Sequence, residues 1–258
     1  MTDSLGVVIP AYEPDVDALT NYIRAIDAQL SPAVIRVEID SPGANELSVL
    51  DATAAALSTT RAEVNGVGRR RGKGGAITEG FDSLETDVLA FADADGSVPA
   101  SSLADVVGPT RRGESALTIG SRRHPKTEIV DHQTVGRRLL GDAFAATARR
   151  LLPTRCYDYQ CGAKALRAAA WDDIRHYCYE RGFAWDLEVL SVADALGYGI
   201  REVPVTWEDH PDSTVDPIPT AIELGRALLA IRSRTGAITP HHRVQSVDRV
   251  TPLTNDGN

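Results

Sequence analysis

Residues 88–97 read VLAFADADGS, and the expected architecture follows from them. Five apolar residues bounded by polar ones predict a buried strand over 88–92. Two carboxylates, Asp93 and Asp95, follow at the point where that strand ends. Ligands of open α/β sheets bind in the crevice at the carboxyl ends of the strands. We therefore expect a ligand site at Asp93 and Asp95.

Strand and helix patterns alternate on both sides of this stretch. A basic, glycine-rich loop over 66–75 leads into a short helix ending near Phe81, and Asp15 is the expected N-cap of the first helix. This alternation indicates βαβ units, and hence one α/β domain with a mostly parallel central sheet flanked by helices. We expect the domain to cover residues 1–234 and a polar, disordered tail to cover 235–258. The other predicted strands cover 5–10, 34–39, 116–119 and 200–207, and the other predicted helices cover 15–30, 46–58, 101–107, 135–152, 185–196 and 218–231.

The composition limits the partners. The net charge of −9 argues against duplex nucleic acid as a ligand. Aspartate is commoner than glutamate, and only Lys73, Lys126 and Lys164 are lysines, a composition that keeps a protein hydrated in concentrated salt. We therefore expect a halophilic, haloarchaeal source; the alternative, a GC-rich genome, would explain arginine in place of lysine but not the excess of aspartate. With neither a signal peptide nor a long apolar segment in the pattern, we expect a cytoplasmic protein, peripheral to the membrane if it binds there.

Two segments have the chemistry of a phosphate site. Paired carboxylates such as Asp93 and Asp95 supply oxygen ligands for Mg²⁺ or Mn²⁺, which also bind substrate phosphates. By itself, an Asp-x-Asp is equally consistent with a solvated acidic turn. Residues 69–76 read RRRGKGGA, in which glycines allow close approach of a phosphate and the following helix N-terminus favours anions. The GxxxxGK[ST] spacing of a Walker A loop is absent, so this segment is either a different phosphate loop, as we expect, or a flexible basic loop.

Several motifs in a fixed order make the chain resemble the family 2 glycosyltransferases, and within them the dolichyl-phosphate mannose and glucose synthases. The resemblance runs from about Leu5 to Val215. The motifs are VVIPAYEPD (7–15), GKGGAITEG (72–80), FADADGS (91–97), TIGSRR (118–123), DYQCGAKALR (158–167), GFAWDLEVL (182–190) and GYGIREVPVTWEDHPDSTV (197–215).

The resemblance implies a GT-A, Rossmann-like domain and a role for each matching residue. Asp93 and Asp95 would hold Mg²⁺ or Mn²⁺, and Asp95 is counted as catalytic together with Glu188 and Asp186. The donor pocket would be formed by Pro10, Tyr12, Glu13, Asp40, Lys73, Asp93, Ala94 and Asp95. The acceptor phosphate and the sugar would be contacted by Arg122, Arg137, Gln160 and Lys164.

The implied reaction is metal-dependent, inverting transfer of a hexose from GDP-mannose or a UDP-sugar to dolichyl or polyprenyl phosphate, for protein glycosylation. A phosphate acceptor is already an anion and needs no strong base. A soluble or glycan-extending transferase with a hydroxyl acceptor would instead use Glu188 or Asp186 as base. A sugar nucleotidylyltransferase is a further alternative, but its basic glycine-rich loop normally follows the first strand, which here leads into Ala11, Tyr12 and Glu13. Intact Asp93, Asp95 and Lys164 argue against a binding module that has no turnover.

The helix predicted over 218–231 bears on membrane contact. It is amphipathic and carries Arg226, with Arg232 and Arg234 just beyond it. Such a helix would lie in a membrane interface as a peripheral contact, or else pack on the domain's own core.

Overall fold

The computed structural model describes residues 2–40, 46–58, 60–127, 135–208 and 217–238, and these form a seven-stranded sheet flanked by helices. The strand order is β3-β2-β1-β4-β6-β5-β7. The strands are β1 (Leu5–Tyr12), β2 (Val34–Asp40), β3 (Ala62–Val67), β4 (Val88–Ala92), β5 (Leu117–Ser121), β6 (Ala163–Arg167) and β7 (Ile200–Pro204).

The sheet is mostly parallel, as predicted. Strands β1, β2, β3 and β4 run parallel, and so do β5 and β7. Strand β6 runs antiparallel to both β4 and β5, with Ala163 opposite Ala92 at one end. The start of β6 therefore lies at the edge where β4 ends, beside Asp93.

Helices cover both faces of the sheet. The predicted N-cap is confirmed, because Asp15 Oδ1 accepts a hydrogen bond from the amide of Ala18 at 3.0 Å. The helices are α1 (Val16–Leu30), α2 (Glu46–Ala56), α3 (Lys73–Asp82), α4 (Ala100–Arg111), α5 (Val135–Leu151), α6 (Ala168–Ile174), α7 (Trp185–Leu196) and α8 (Pro217–Thr235).

Each face of the sheet has its own apolar core. On one face, Ile23 of α1 and Leu103 of α4 pack against strand residues such as Ile9. On the other face, Trp185 of α7 contacts the ring of Phe91, with ring centroids 5.5 Å apart. The two cores bury both sides of the strands, which explains why their sequences are continuously apolar rather than alternating.

The predicted elements match the structure with three exceptions. The segment predicted as a loop from Gly66 begins inside β3, a strand that was not predicted from the sequence. Strand β6 and helix α6 were also missed. The loop itself therefore covers residues 68–72, and α3 begins at Lys73.

Helix α8 packs on the domain core, which is the second of the two arrangements expected for this segment. Its residues Leu224, Leu228 and Ile231 are buried in the core, whereas Leu229 is 61% exposed. Among the described residues, no helix has the length and apolar character to cross a membrane. The described chain continues to Ile238, and the rest of the predicted tail lies outside the described residues.

Candidate active site

Lys73 lies between two carboxylates at the carboxyl ends of the central strands. Its Nζ is 2.9 Å from Oδ1 of Asp93, which follows β4, and 3.0 Å from Oδ2 of Asp186 on α7. Burial opposes the charged ammonium, but Asp186 and Asp93 outweigh it and raise the pKa of Lys73 above its ordinary value. Lys73 is therefore a fixed cation at the place where the sheet predicts a ligand.

A second lysine completes the cluster. Nζ of Lys164, at the start of β6, is 2.6 Å from Oδ1 of Asp186 and donates to the carbonyl of Cys161 at 2.9 Å. Burial alone would raise the pKa of Asp186, but Lys164 and Lys73 hold it below its usual value. We call Lys73, Asp93, Lys164 and Asp186 the lysine–aspartate cluster. It brings together four residues named from the sequence, out of four different motifs.

Glycines allow this close assembly. A β-carbon on Gly162 would overlap Oδ2 of Asp93, so only glycine fits before Ala163. Gly72 has a φ of +82°, a conformation that side-chain-bearing residues rarely adopt.

Asp95 is the open member of the carboxylate pair. It is exposed, and its Oδ1 accepts a hydrogen bond from the amide of Ser97 at 3.0 Å, while Ala94 between the two carboxylates is partly exposed. In the described part of the chain, no group of three or more His, Cys, Asp or Glu residues is arranged to hold a metal. A divalent ion at Asp93 and Asp95 would therefore need further oxygen ligands from a substrate, which is how Mg²⁺ is commonly bound.

Asp40 is buried beneath the phosphate loop and holds it through hydrogen bonds. It is 3% exposed, and its carboxylate accepts hydrogen bonds from Nε of Arg71 at 2.7 Å and from the amide of Gly72 at 3.1 Å. The same guanidinium is 2.6 Å from Glu38 and 3.0 Å from Glu79. Asp40 thus holds the loop, and its expected place in the donor pocket stays a prediction.

The other predicted donor-pocket residues lie at the end of β1, next to β2. The guanidinium of Arg70 lies over the ring of Tyr12, 4.1 Å from its centroid. Glu13 is exposed and has a φ of +46°, and Pro10 is partly exposed. The register pairs Tyr12 with Asp40, so these residues and the phosphate loop share one edge of the sheet.

Arg122 directly follows β5, on the side of Asp93 that faces away from β1. Its guanidinium makes a two-point contact with buried Asp158, at 2.6 and 2.9 Å, and Arg123 lies 3.6 Å from the same carboxylate. Burial would raise the pKa of Asp158, but Arg122 holds it well below its usual value. About a quarter of each arginine side chain remains exposed. The Arg122 guanidinium is thus fixed by Asp158 and still reaches the surface.

Two further residues of the expected acceptor site have less definite places. Gln160 is partly exposed, and its main-chain amide donates to Oδ1 of Asp158 at 3.1 Å. Arg137 belongs to α5, but its side chain lies outside what the structure describes.

Glu188 faces away from the lysine–aspartate cluster. Residues two apart on a helix lie on nearly opposite sides, so Glu188 and Asp186 project in different directions from α7. Oε2 of Glu188 accepts from the amides of Tyr179 and Glu180, both at 2.7 Å, and Oε1 accepts from Arg234 at 2.7 Å. Burial raises the pKa of Glu188, as a general base would require, but both of its oxygens already have partners.

Two residues that matter to the site were not predicted. Arg71 was treated only as part of a basic loop, and Asp158 only as part of a motif. A basic triplet beside a glycine pair does not reveal which arginine turns inward. The buried carboxylates Glu38 and Asp40, two apart on a strand, were the available signal for a buried cation.

Comparison with known proteins agrees with this geometry. The model of Glycosyl transferase family 2 matches residues 7–175. The Dolichyl-phosphate beta-glucosyltransferase of Mus musculus is 30% identical over 257 residues, which cover 92% of this chain and 78% of the relative. Glycosyltransferase AglD of Haloferax volcanii is 27% identical over 229 residues, which cover 87% of this chain and 36% of the relative. The chain thus spans about a third of the length of AglD.

Solved structures share the fold. Glucosyl-3-phosphoglycerate synthase from Mycobacterium tuberculosis superposes with a TM-score of 0.66 at 18% identity, covering 91% of this chain and 80% of that one. Mannosyl-3-phosphoglycerate synthase from Rubrobacter xylanophilus gives a TM-score of 0.68 at 17% identity, covering 95% and 78%. At these identities the likeness concerns the fold alone, which is the GT-A fold predicted from the sequence.

Proposed function

Since the chain belongs to glycosyl transferase family 2, we propose that it moves a hexose from a nucleotide sugar to a polyprenyl phosphate with the help of a divalent metal ion. The observation that carries the proposal is the lysine–aspartate cluster. It brings the Lys73 ammonium against Asp93, two residues before the exposed Asp95, and holds Lys164 through Asp186 at the carboxyl ends of the strands. Cations and metal-binding oxygen atoms of this kind stabilise the charge on a diphosphate leaving group.

Asp93 and Asp95 would hold Mg²⁺ or Mn²⁺ together with the donor diphosphate. The fit rests on the exposed Asp95 carboxylate and on the space that Gly162 leaves for Asp93. When bound, the ion would neutralise the charge that develops on the leaving diphosphate. The M. tuberculosis synthase of the same fold was crystallised with Mn²⁺ and UDP, which supports a metal here.

The residues of this chain would orient the donor and stabilise its charge. Lys73 is held by two carboxylates and is close enough to Asp93 to act on the same diphosphate. Asp186 keeps Lys73 and Lys164 in place and compensates their charges in a buried setting. Arg122, with its partly exposed guanidinium, would receive the acceptor phosphate.

The state of the two candidate bases favours a phosphate acceptor over a hydroxyl. A hydroxyl acceptor must lose its proton to a base, whereas a phosphate is already an anion. Asp186 is a weak base because two ammonium groups lower its pKa, and the oxygens of Glu188 are occupied. The relatives named dolichyl-phosphate glucosyltransferases support the same acceptor class and favour glucose over mannose as the sugar.

The test is a transfer assay in high salt. Purified protein is incubated with labelled UDP-glucose or GDP-mannose, with and without Mn²⁺ and polyprenyl phosphate, and label is counted in the organic extract. Organic label that requires both metal and lipid supports the proposal and identifies the sugar. Label that appears only on a water-soluble acceptor would reject the lipid phosphate and favour a hydroxyl acceptor.

A further inference from the structure

An ion pair outside the lysine–aspartate cluster joins the last helix to α7. One nitrogen of Arg234, near the end of α8, is 2.7 Å from Oε1 of Glu188 and 2.6 Å from Oε1 of Glu180. The side chain of Glu188 is 2% exposed. A carboxylate this deeply buried is costly unless it is compensated, so Arg234 is its essential counter-charge.

The same pair fixes a turn of the main chain. Oε2 of Glu188 accepts hydrogen bonds from the amides of Tyr179 and Glu180, and the guanidinium of Arg234 lies over the ring of Tyr179 at 5.3 Å. Glu188 and Arg234 therefore hold Tyr179 and Glu180 by their amides and side chains. These two residues begin the segment 179–182, which we call the bracing turn.

The bracing turn is the surface on which the phosphate loop rests. The amide of Gly75 donates to the carbonyl of Arg181 at 3.0 Å. A β-carbon on Gly72 would lie 2.5 Å from that carbonyl oxygen, and one on Gly74 would lie 2.8 Å from the carbonyl oxygen of Glu180. Loop and turn are in direct contact, so a displaced turn must displace Lys73, which lies between Gly72 and Gly74.

We propose that Glu188 and Arg234 are positioning residues that hold Lys73 in place through the bracing turn, so that α8 controls binding of the donor diphosphate. Glu188 then acts on the structure of the loop and takes no proton from an acceptor. The identity of the ligand rests on the proposed function, whereas the mechanical link between α8 and the loop does not.

Hydrogen exchange on the full-length protein tests the link without any substrate. The variants are Glu188→Gln and Arg234→Met, with Arg232→Met as matched control, because Arg232 is an exposed arginine on the same helix. We expect exchange at the Gly75 amide to rise about tenfold in the first two variants and to stay unchanged in the control, with β1 and β4 still protected. The proposal would be overturned if hydrogen exchange at the Gly75 amide were unchanged in both Glu188→Gln and Arg234→Met.

A conservative variant guards against simple unfolding. Arg234→Lys keeps the charge, and we expect a smaller rise in exchange at Gly75 than with Arg234→Met. Should Arg234→Met lose protection throughout the sheet, Glu188→Gln carries the test. Wild-type exchange at Gly75 in a folded Glu188→Gln protein would then count against the link.

Nucleotide binding supplies the functional readout. Titration of UDP and GDP in the presence of Mn²⁺ should give a dissociation constant about tenfold higher for Glu188→Gln than for wild type. Adding Arg234→Met to this variant should raise the constant no further, because the effects of coupled residues are not additive. In Glu188→Gln, the pH at which turnover falls to half its maximum on the acidic side should be the same as in wild type. A large fall in kcat with unchanged exchange and affinity would make Glu188 a base and reject the proposal. If wild type binds neither nucleotide, the proposed function fails while the exchange result still decides the link.

Discussion

Gly162 and Asp93 share a space that only glycine leaves open. The amide of Asp93 donates to the carbonyl of Gly162 at 2.9 Å, and a β-carbon at position 162 would overlap the Asp93 carboxylate. The main-chain contact fixes the two segments together, so the carboxylate is the part that must move when position 162 gains a side chain.

We therefore expect Gly162→Ala to lower kcat/KM about 100-fold with little effect on folding, because small displacements of catalytic groups are costly. The measurement is steady-state transfer with the nucleotide sugar that supports turnover in the wild type. Gly225→Ala is the matched control, because a β-carbon there meets nothing within 4 Å. Unchanged kcat/KM in Gly162→Ala would mean that Asp93 has no part in the site.

Asp95→Ala should abolish metal-dependent turnover while leaving the thermal unfolding midpoint of the protein unchanged. Asp95 is exposed and contributes one hydrogen bond to the amide of Ser97, so its loss affects metal binding more than stability. Removing the metal from wild type with EDTA should have the same effect, and adding Mn²⁺ should reverse it. Turnover that survives both treatments would argue for a site without a metal.

Asp186→Asn should destabilise the protein by about 3–5 kcal/mol at pH 7, because it leaves the buried Lys164 ammonium without its carboxylate partner. The folded-state pKa of Asp186 is depressed. Its stabilisation is therefore fully present above the ordinary aspartate pKa of about 3.9 and is lost as the pH falls through the lower folded value.

Urea unfolding at several pH values measures this difference. The gap between wild type and Asp186→Asn should be constant at mildly acidic to neutral pH and should shrink below about pH 4. Asp172→Asn is the control, because Asp172 is 68% exposed in its pair with Arg175. A gap that widens on acidification would contradict the depressed pKa.

Arg71→Met should cost about 3–5 kcal/mol of unfolding free energy at neutral pH, since Asp40 then stays buried without its counter-charge. Chemical unfolding at neutral pH measures this, with exposed Arg69→Met as control. Equal unfolding free energies of the two variants would show that other groups compensate the Asp40 carboxylate.

The sequence was most informative where the apolar pattern was continuous. Strand β4 and helix α7 were predicted at their observed bounds, because both are strongly apolar and end at clear signals. Strand β3 is an edge strand with partly exposed residues, so only its pairing with β2 reveals it. Strand β6 is short and contains a buried lysine, a residue that argues against a core strand until Asp186 is in place.

The members of the site could be named from the motifs, but their pairings could not. The shared contact of Lys73 and Lys164 with Asp186 joins three motifs that are far apart in the chain. The direction in which Glu188 projects depends on where the bracing turn and Arg234 lie, and a single sequence gives no such distances. A buried arginine such as Arg71 likewise depends on which carboxylates surround it.

The reversed direction of β6 bears on how this protein family can diversify. Because β6 enters the sheet where β4 leaves it, Gly162 just before β6 meets Asp93 directly. Strands β1, β2 and β3 lie on the other side of β4. Substitutions just before β6 therefore alter one side of the crevice at Asp93 without changing the strands that form its other side.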